Sequence, residues 1–131
     1  MTEPRPAPRL SAIGQIYVTA HDLDRAVAFY RDTLGLKFLF QVPKMAFFDC
    51  GGVRLMLGPP DKPEFDHPAS IIYYKVEDIE AAHEALSGKG VAVLEKPELV
   101  AKLPDHDLWM AFFRDTEGNT FALMSEVRGA R

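Results

Sequence analysis

Cysteine is nearly missing from this 131-residue chain: Cys50 stands alone, so no disulfide closes within the molecule and the fold rests on its core. Long apolar runs are missing too. The longest, Trp109 to Phe113 and Leu55 to Leu57 with their neighbours, fall far short of the roughly 20 residues that cross a bilayer as a helix, so no membrane segment is expected. Basic charge is in short supply: Lys and Arg number 15 against 19 Asp and Glu. The resulting formal charge of −4 is scattered, which leaves no stripe for a phosphate backbone or an anionic lipid surface. Nucleic acid is therefore not an expected partner. Residues 1–9 hold no apolar stretch of the secretory-signal type, and together with the lone cysteine this points to the cytoplasm.

What is present suits one globular domain. A hydrophobic share of 47% excludes a disordered chain, and the length permits a sizeable core. Pro4, Pro6 and Pro8 deprive residues 1–9 of ladder donors, so that stretch reads as a flexible proline-rich tail ahead of a domain over residues 10–127. From Ile13 to Thr19, Ile16 and Val18 alternate with Gln15, Tyr17 and Thr19, the period of a half-buried strand. Asp22 then caps a helix whose apolar positions Leu23, Ala26, Val27, Tyr30 and Leu34 share one face, and Gly35 supplies the stop. Lys37 to Gln41, Met45 to Asp49 and Val53 to Leu57 follow as short strands, parted by Pro43 and by Gly51-Gly52.

That order then returns. Ile71 to Val76 reads as a strand, and Asp78 opens a second helix with Ile79, Ala82 and Leu86 on one face, closed by Gly88 and Gly90. Asp78 lies 56 residues after Asp22, and at that offset Tyr17 falls on Tyr73, Leu23 on Ile79 and Ala26 on Ala82, an internal duplication. Val91 to Leu94, Leu108 to Arg114 and Thr120 to Ser125 complete the second unit, the last two joined by the turn Asp115-Thr-Glu-Gly118. The expected class is α+β: two tandem βαβββ modules, over about 10–58 and 69–127, with 59–68 as linker.

A helix covers only one face of such a sheet, so curved mixed sheets that enclose a shared cavity would give the other face a purpose. Strand alternation selects the residues that would line it. In the first module these are Gln15, Tyr17, Thr19, Arg54 and Met56. In the second they are Ile71, Tyr73, Lys75, Thr120, Ala122 and Met124. Ile71, Met56 and Met124, taken singly, also fit a second apolar core between the sheets. Trp109 or Phe113 joins the cavity according to the register of the seventh strand.

The run from Ile16 to Leu36, with its Asp-Leu-Asp-Arg-Ala-Val-Ala-Phe-Tyr core and Leu-Gly-Leu close, and the segment Phe112-Phe-Arg-Asp-Thr-Glu-Gly-Asn-Thr-Phe-Ala-Leu123 resemble the vicinal oxygen chelate superfamily. It includes glyoxalase I, bleomycin-resistance proteins, extradiol dioxygenases, methylmalonyl-CoA epimerase and fosfomycin-resistance enzymes. The resemblance implies the paired βαβββ fold, frequent homodimers and, in catalytic members, a divalent metal on four strand-borne ligands. Carried onto this chain, those four positions fall on Gln15, Met56, Ile71 and Ala122. Only Gln15 offers an oxygen, so no metal and no other cofactor is expected there.

The four histidines offer one alternative. His21 and His83 fit surface or packing roles, whereas His67 with His106 and Asp107 could supply ligands if the loops converged. Without a metal, His106 or Asp107 could serve as a general base and Lys75 as an electrostatic or nucleophilic partner. Cys50 beside two glycines reads as structural. Two functions remain. One is a binding module for a small aromatic or apolar molecule, as the resemblance to the bleomycin-resistance branch implies. The other is a lyase, isomerase or dioxygenase-like enzyme with an unusual metal site or a metal-free base.

Overall fold

The computed structural model describes residues 6–129. Expectations for residues 1–5 of the tail lie outside the described residues, and residues 6–15 are exposed. Two four-stranded mixed sheets carry the fold. In the first, β1 (Gln15–Thr19) lies parallel to β4 (Val53–Gly58), followed by β3 (Met45–Cys50) and β2 (Lys37–Val42), in the order β1-β4-β3-β2. The second repeats it as β5-β8-β7-β6, from β5 (Ile72–Lys75), β8 (Thr120–Val127), β7 (Asp107–Arg114) and β6 (Ala92–Lys102). The duplication read from a 56-residue offset is thus a duplication of topology, each module pairing its first strand with its last.

Both helices begin as their sequences dictate. The Asp22 carboxylate accepts from the Arg25 N–H at 3.1 Å at the head of α1 (Leu23–Ala28), and Asp78 does the same for Ala81 at 3.0 Å at the head of α2 (Ile79–Gly88). The uninterrupted helix expected up to Gly35 is corrected. After Ala28 the chain widens into a π-helical segment, Phe29–Thr33, in which Leu34 N–H reaches Phe29 C=O at 2.9 Å. The wider turn brings two successive aromatics, Phe29 and Tyr30, into the core. Gly35 ends it at φ +75°, a conformation open to glycine at little cost.

The strands depart from expectation mainly in length. β1 starts at Gln15 rather than Ile13, and Ile71 falls just outside β5. β6 runs to Lys102 with three register irregularities, where alternation had suggested only Val91 to Leu94. β8 continues two residues past Ser125. A register shift in β2 has a direct consequence for the first sheet. Phe38 points to the helix side against Phe48, whereas Phe40 stacks on Phe47 on the other face at 4.6 Å between ring centroids.

One core runs through both modules, on the helix side of the sheets. Val18, Phe48, Leu55 and Leu57 from the first join Phe113, Phe121 and Leu123 from the second, and Phe29 meets Phe121 edge-on at 6.1 Å. Each such side chain fully buried stabilises the fold by about 1.5–3 kcal/mol. Polar contacts fix the junction. Asn119 donates to Thr19 C=O at 2.9 Å and accepts the Ala69 N–H at 2.8 Å, while Thr19 donates its hydroxyl to His67 C=O at 2.9 Å. Thr19 is therefore a buried junction residue rather than part of a cavity wall.

Candidate functional site

The faces turned away from the helices hold most of the residues selected by alternation. On the first sheet, cross-strand pairing sets Phe40, Phe47, Met56 and Tyr17 in one row and Lys37, Asp49, Arg54 and Gln15 in the next. Gln15 Nε2 donates to Met56 Sδ at 3.6 Å, and Tyr17 turns its hydroxyl to Gly58 C=O at 2.9 Å. On the second sheet, Tyr73, Ala122 and Phe112 form one row and Lys75, Met124 and Met110 the next. Tyr73 meets Phe112 edge-on at 5.8 Å, a favourable aromatic geometry. Ile71 precedes this row and is exposed, and Thr120 pairs with Arg114 at the strand end.

Trp109 turns the other way. Its neighbour Met110 pairs with Met124 on the open face, so Trp109 lies on the opposite face, where it packs against the core. Phe113 is fully buried in the core. Alternation alone could not fix this, because the strand is apolar on both faces. The open-face aromatics Phe112 and Phe47 were hidden for the same reason, and Phe40 by the register shift in β2.

The chain is similar over residues 12–123 to the family model of the glyoxalase/bleomycin resistance protein/dioxygenase superfamily. This protein belongs to that superfamily. A glyoxylase-like domain-containing protein from Didymella fabae is 32% identical over 121 residues, a match covering 85% of this chain and 91% of that protein. A superfamily member from Sphaerobacter thermophilus superposes with a TM-score of 0.73 at 24% identity, covering 89% of this chain and 98% of that one. A lactoylglutathione lyase from Agrobacterium tumefaciens superposes with a TM-score of 0.69 at 23% identity, covering 88% and 94%. Likenesses at that level of identity show the fold alone.

The metal that the superfamily's chelating members hold does not fit the residues here. An amide, a thioether and two hydrocarbon side chains occupy Gln15, Met56, Ile71 and Ala122, and the amide nitrogen is already directed at the thioether. The alternative set of His67, His106 and Asp107 is not brought together as a cluster. Among the described residues, no three of His, Cys, Asp and Glu gather into a group able to hold an ion. His67 directs Nδ1 at the adjacent Pro68 C=O, whereas His106 directs Nδ1 at Asp105 at 2.8 Å.

Two residues singled out for acid–base chemistry do meet, through one the sequence reading missed. Glu126 lies 3.5 Å from Lys75 Nζ and 3.8 Å from His106 Nε2, at the end of the open face beyond Met124. The period-two run Ala122, Met124, Glu126 is its only signal in the sequence, and Glu126 lies one residue beyond the strand end expected at Ser125. Arg128, and next His106, hold the Asp105 carboxyl down to about 2. His21 is exposed beside Asp66 and His83 packs near Phe113, in line with surface and packing roles.

A separate cleft of about 580 Å³ opens on the helix side, between the Leu34 to Leu36 stretch, the Cys50-Gly51 turn, β5 and α2. Of the expected cavity residues only Tyr73 and Lys75 border it. Burial, then Asp49, pushes the Cys50 thiol up, away from the thiolate that a nucleophile requires.

Proposed function

We propose that this superfamily member is a metal-independent binding module that holds a small aromatic or otherwise apolar molecule against the open faces of its sheets. One observation carries the reading. At the positions where chelating relatives place ligands, Gln15 is engaged with Met56 and the other two are hydrocarbon, with the aromatic pair Phe40–Phe47 in the row of Met56 and the pair Tyr73–Phe112 in the row of Ala122. Aromatic and thioether walls with few polar groups are what small apolar ligands select. A second copy of the chain is part of the proposal, since Phe40, Ile71 and Tyr73 remain 44%, 45% and 42% exposed in the single chain. The lone Cys50 suits a reducing compartment such as the cytoplasm. No described helix is long and apolar enough to cross a membrane.

The test is ligand-induced thermal stabilisation by planar apolar probes, on the natural chain and on Tyr73→Ala. A raised midpoint that Tyr73→Ala abolishes, with the ligand-free midpoint little changed, is expected. Stabilisation that survives Tyr73→Ala would overturn the placement of the ligand.

A second reading, a superfamily enzyme with a metal-free base, draws on the carboxylates of Asp105 and Glu126 either side of His106. It requires turnover that His106→Gln removes while probe binding persists. Lys75, 3.5 Å from Glu126, would serve there as an electrostatic partner, and Asp107 begins the strand beside them.

A further inference from the structure

The two open faces differ in charge. On the second sheet Lys75 is paired with Glu126 at 3.5 Å. On the first, Arg54 has no carboxylate at ion-pair distance among the described residues; its guanidinium lies 5.6 Å from the Phe47 ring centroid. The row that carries it holds two cations, Lys37 and Arg54, against one carboxylate. That carboxylate, Asp49, accepts the Gly52 N–H at 3.0 Å within its own turn. Beside this row runs the apolar row of Phe40, Phe47, Met56 and Tyr17. Arg54 is held by Phe47 through a cation–π contact that leaves its planar fork of donors available.

Resting on the reading above, we infer that the ligand is a planar apolar molecule carrying one oxyanion of the carboxylate or sulfonate kind. Its body lies on the apolar row and its charge meets Arg54. A guanidinium binds such a group through two parallel hydrogen bonds, and an aromatic surface beneath it lowers local hydration without neutralising its charge. An uncharged ligand would cover Arg54 and leave a cation desolvated, which selects against it.

Two fluorescent probes with the same ring system separate charge from shape: anilinonaphthalenesulfonate, an anion, and phenylnaphthylamine, which is neutral. Affinities are measured for the natural chain, Arg54→Gln and Arg54→Lys. The sulfonate is expected to lose about tenfold in affinity in Arg54→Gln and to recover part of it in Arg54→Lys. The neutral probe is expected to lose no affinity in Arg54→Gln, which removes the cation it would desolvate, and added salt to weaken only the sulfonate. Equal losses for both probes would overturn the inference, because Arg54 would then act by packing. A sulfonate affinity indifferent to Arg54→Gln would also overturn it, while binding of the neutral probe that Tyr73→Ala abolishes leaves the binding-module reading standing. If neither probe binds the natural chain, that reading falls and the inference with it.

Discussion

The Tyr30 hydroxyl donates a 2.6 Å hydrogen bond to the Asp115 carboxylate, in the interior and across the two modules. Both Asp115 oxygens are in use: Oδ1 accepts the N–H groups of Glu117 and Asn119, and Oδ2 accepts Asn119 Nδ2 together with Tyr30. Burial, with Asp115 beside it, pushes the Tyr30 phenol well above its usual range and keeps it a donor. The motifs Phe29-Tyr30 and Asp115 to Asn119 are thus the two halves of one joint.

Tyr30→Phe keeps the ring and removes only the donor, so the buried carboxylate loses a partner. The expected cost is about 1–3 kcal/mol, read from the midpoint of denaturant unfolding. A change within error would mean that the joint contributes nothing to stability.

Glu117 ties the start of α1 to the β7–β8 turn, accepting the Asp22 N–H at 3.0 Å and Arg25 Nε at 2.9 Å. Burial alone would raise its carboxyl, but the Arg25 guanidinium and the donors of Asp22 and Thr116 outweigh it and hold it below its ordinary value of 4.5. A lowered folded value contributes stability that is present above the unfolded value and is lost as pH falls through the folded one. Unfolding free energy should therefore drop more steeply below about pH 5 in the natural chain than in Glu117→Gln. Parallel pH profiles would remove Glu117 from the acid response.

Gly118 turns between β7 and β8 at φ +83°, and an added Cβ there meets nothing within 4 Å. Any cost of Gly118→Val thus comes from the backbone alone, roughly 1–2 kcal/mol. A neutral substitution would show that the turn relaxes freely.

The donor set at Gln15, Met56, Ile71 and Ala122 leads to an expectation about metal. Elemental mass spectrometry of untagged protein purified without chelator should find no stoichiometric divalent ion. About one ion per chain, lost in His106→Gln, would contradict the metal-independent reading and point to a metal site at His106.

The fold was legible because its signals are local and repeated. Asp22 and Asp78 mark both helix starts, and a 56-residue offset carries the topology. The element edges were less so. The π-helical turn at Phe29–Thr33 answers to a packing demand from Phe121 and Asp115 that no local pattern announces. The site was half legible. Alternation placed Gln15, Met56, Tyr73, Ala122 and Met124 correctly on the open faces, because their strands have one polar or small-residue side. It could not orient Trp109 in a strand apolar on both sides, nor find Phe40, whose face depends on a register shift.

The most direct test of the account is methionine-methyl NMR during titration with phenylnaphthylamine. Met56 sits on the open face of the first sheet and Met110 and Met124 on that of the second, whereas the helix-side cleft is lined by Leu34, Cys50 and Leu86 and by no methionine. Binding at the open faces predicts saturable shifts of the Met56, Met110 and Met124 methyls. Saturable binding that leaves all three unmoved, with shifts confined to Leu34 and Leu86, would contradict it and place the ligand in the cleft.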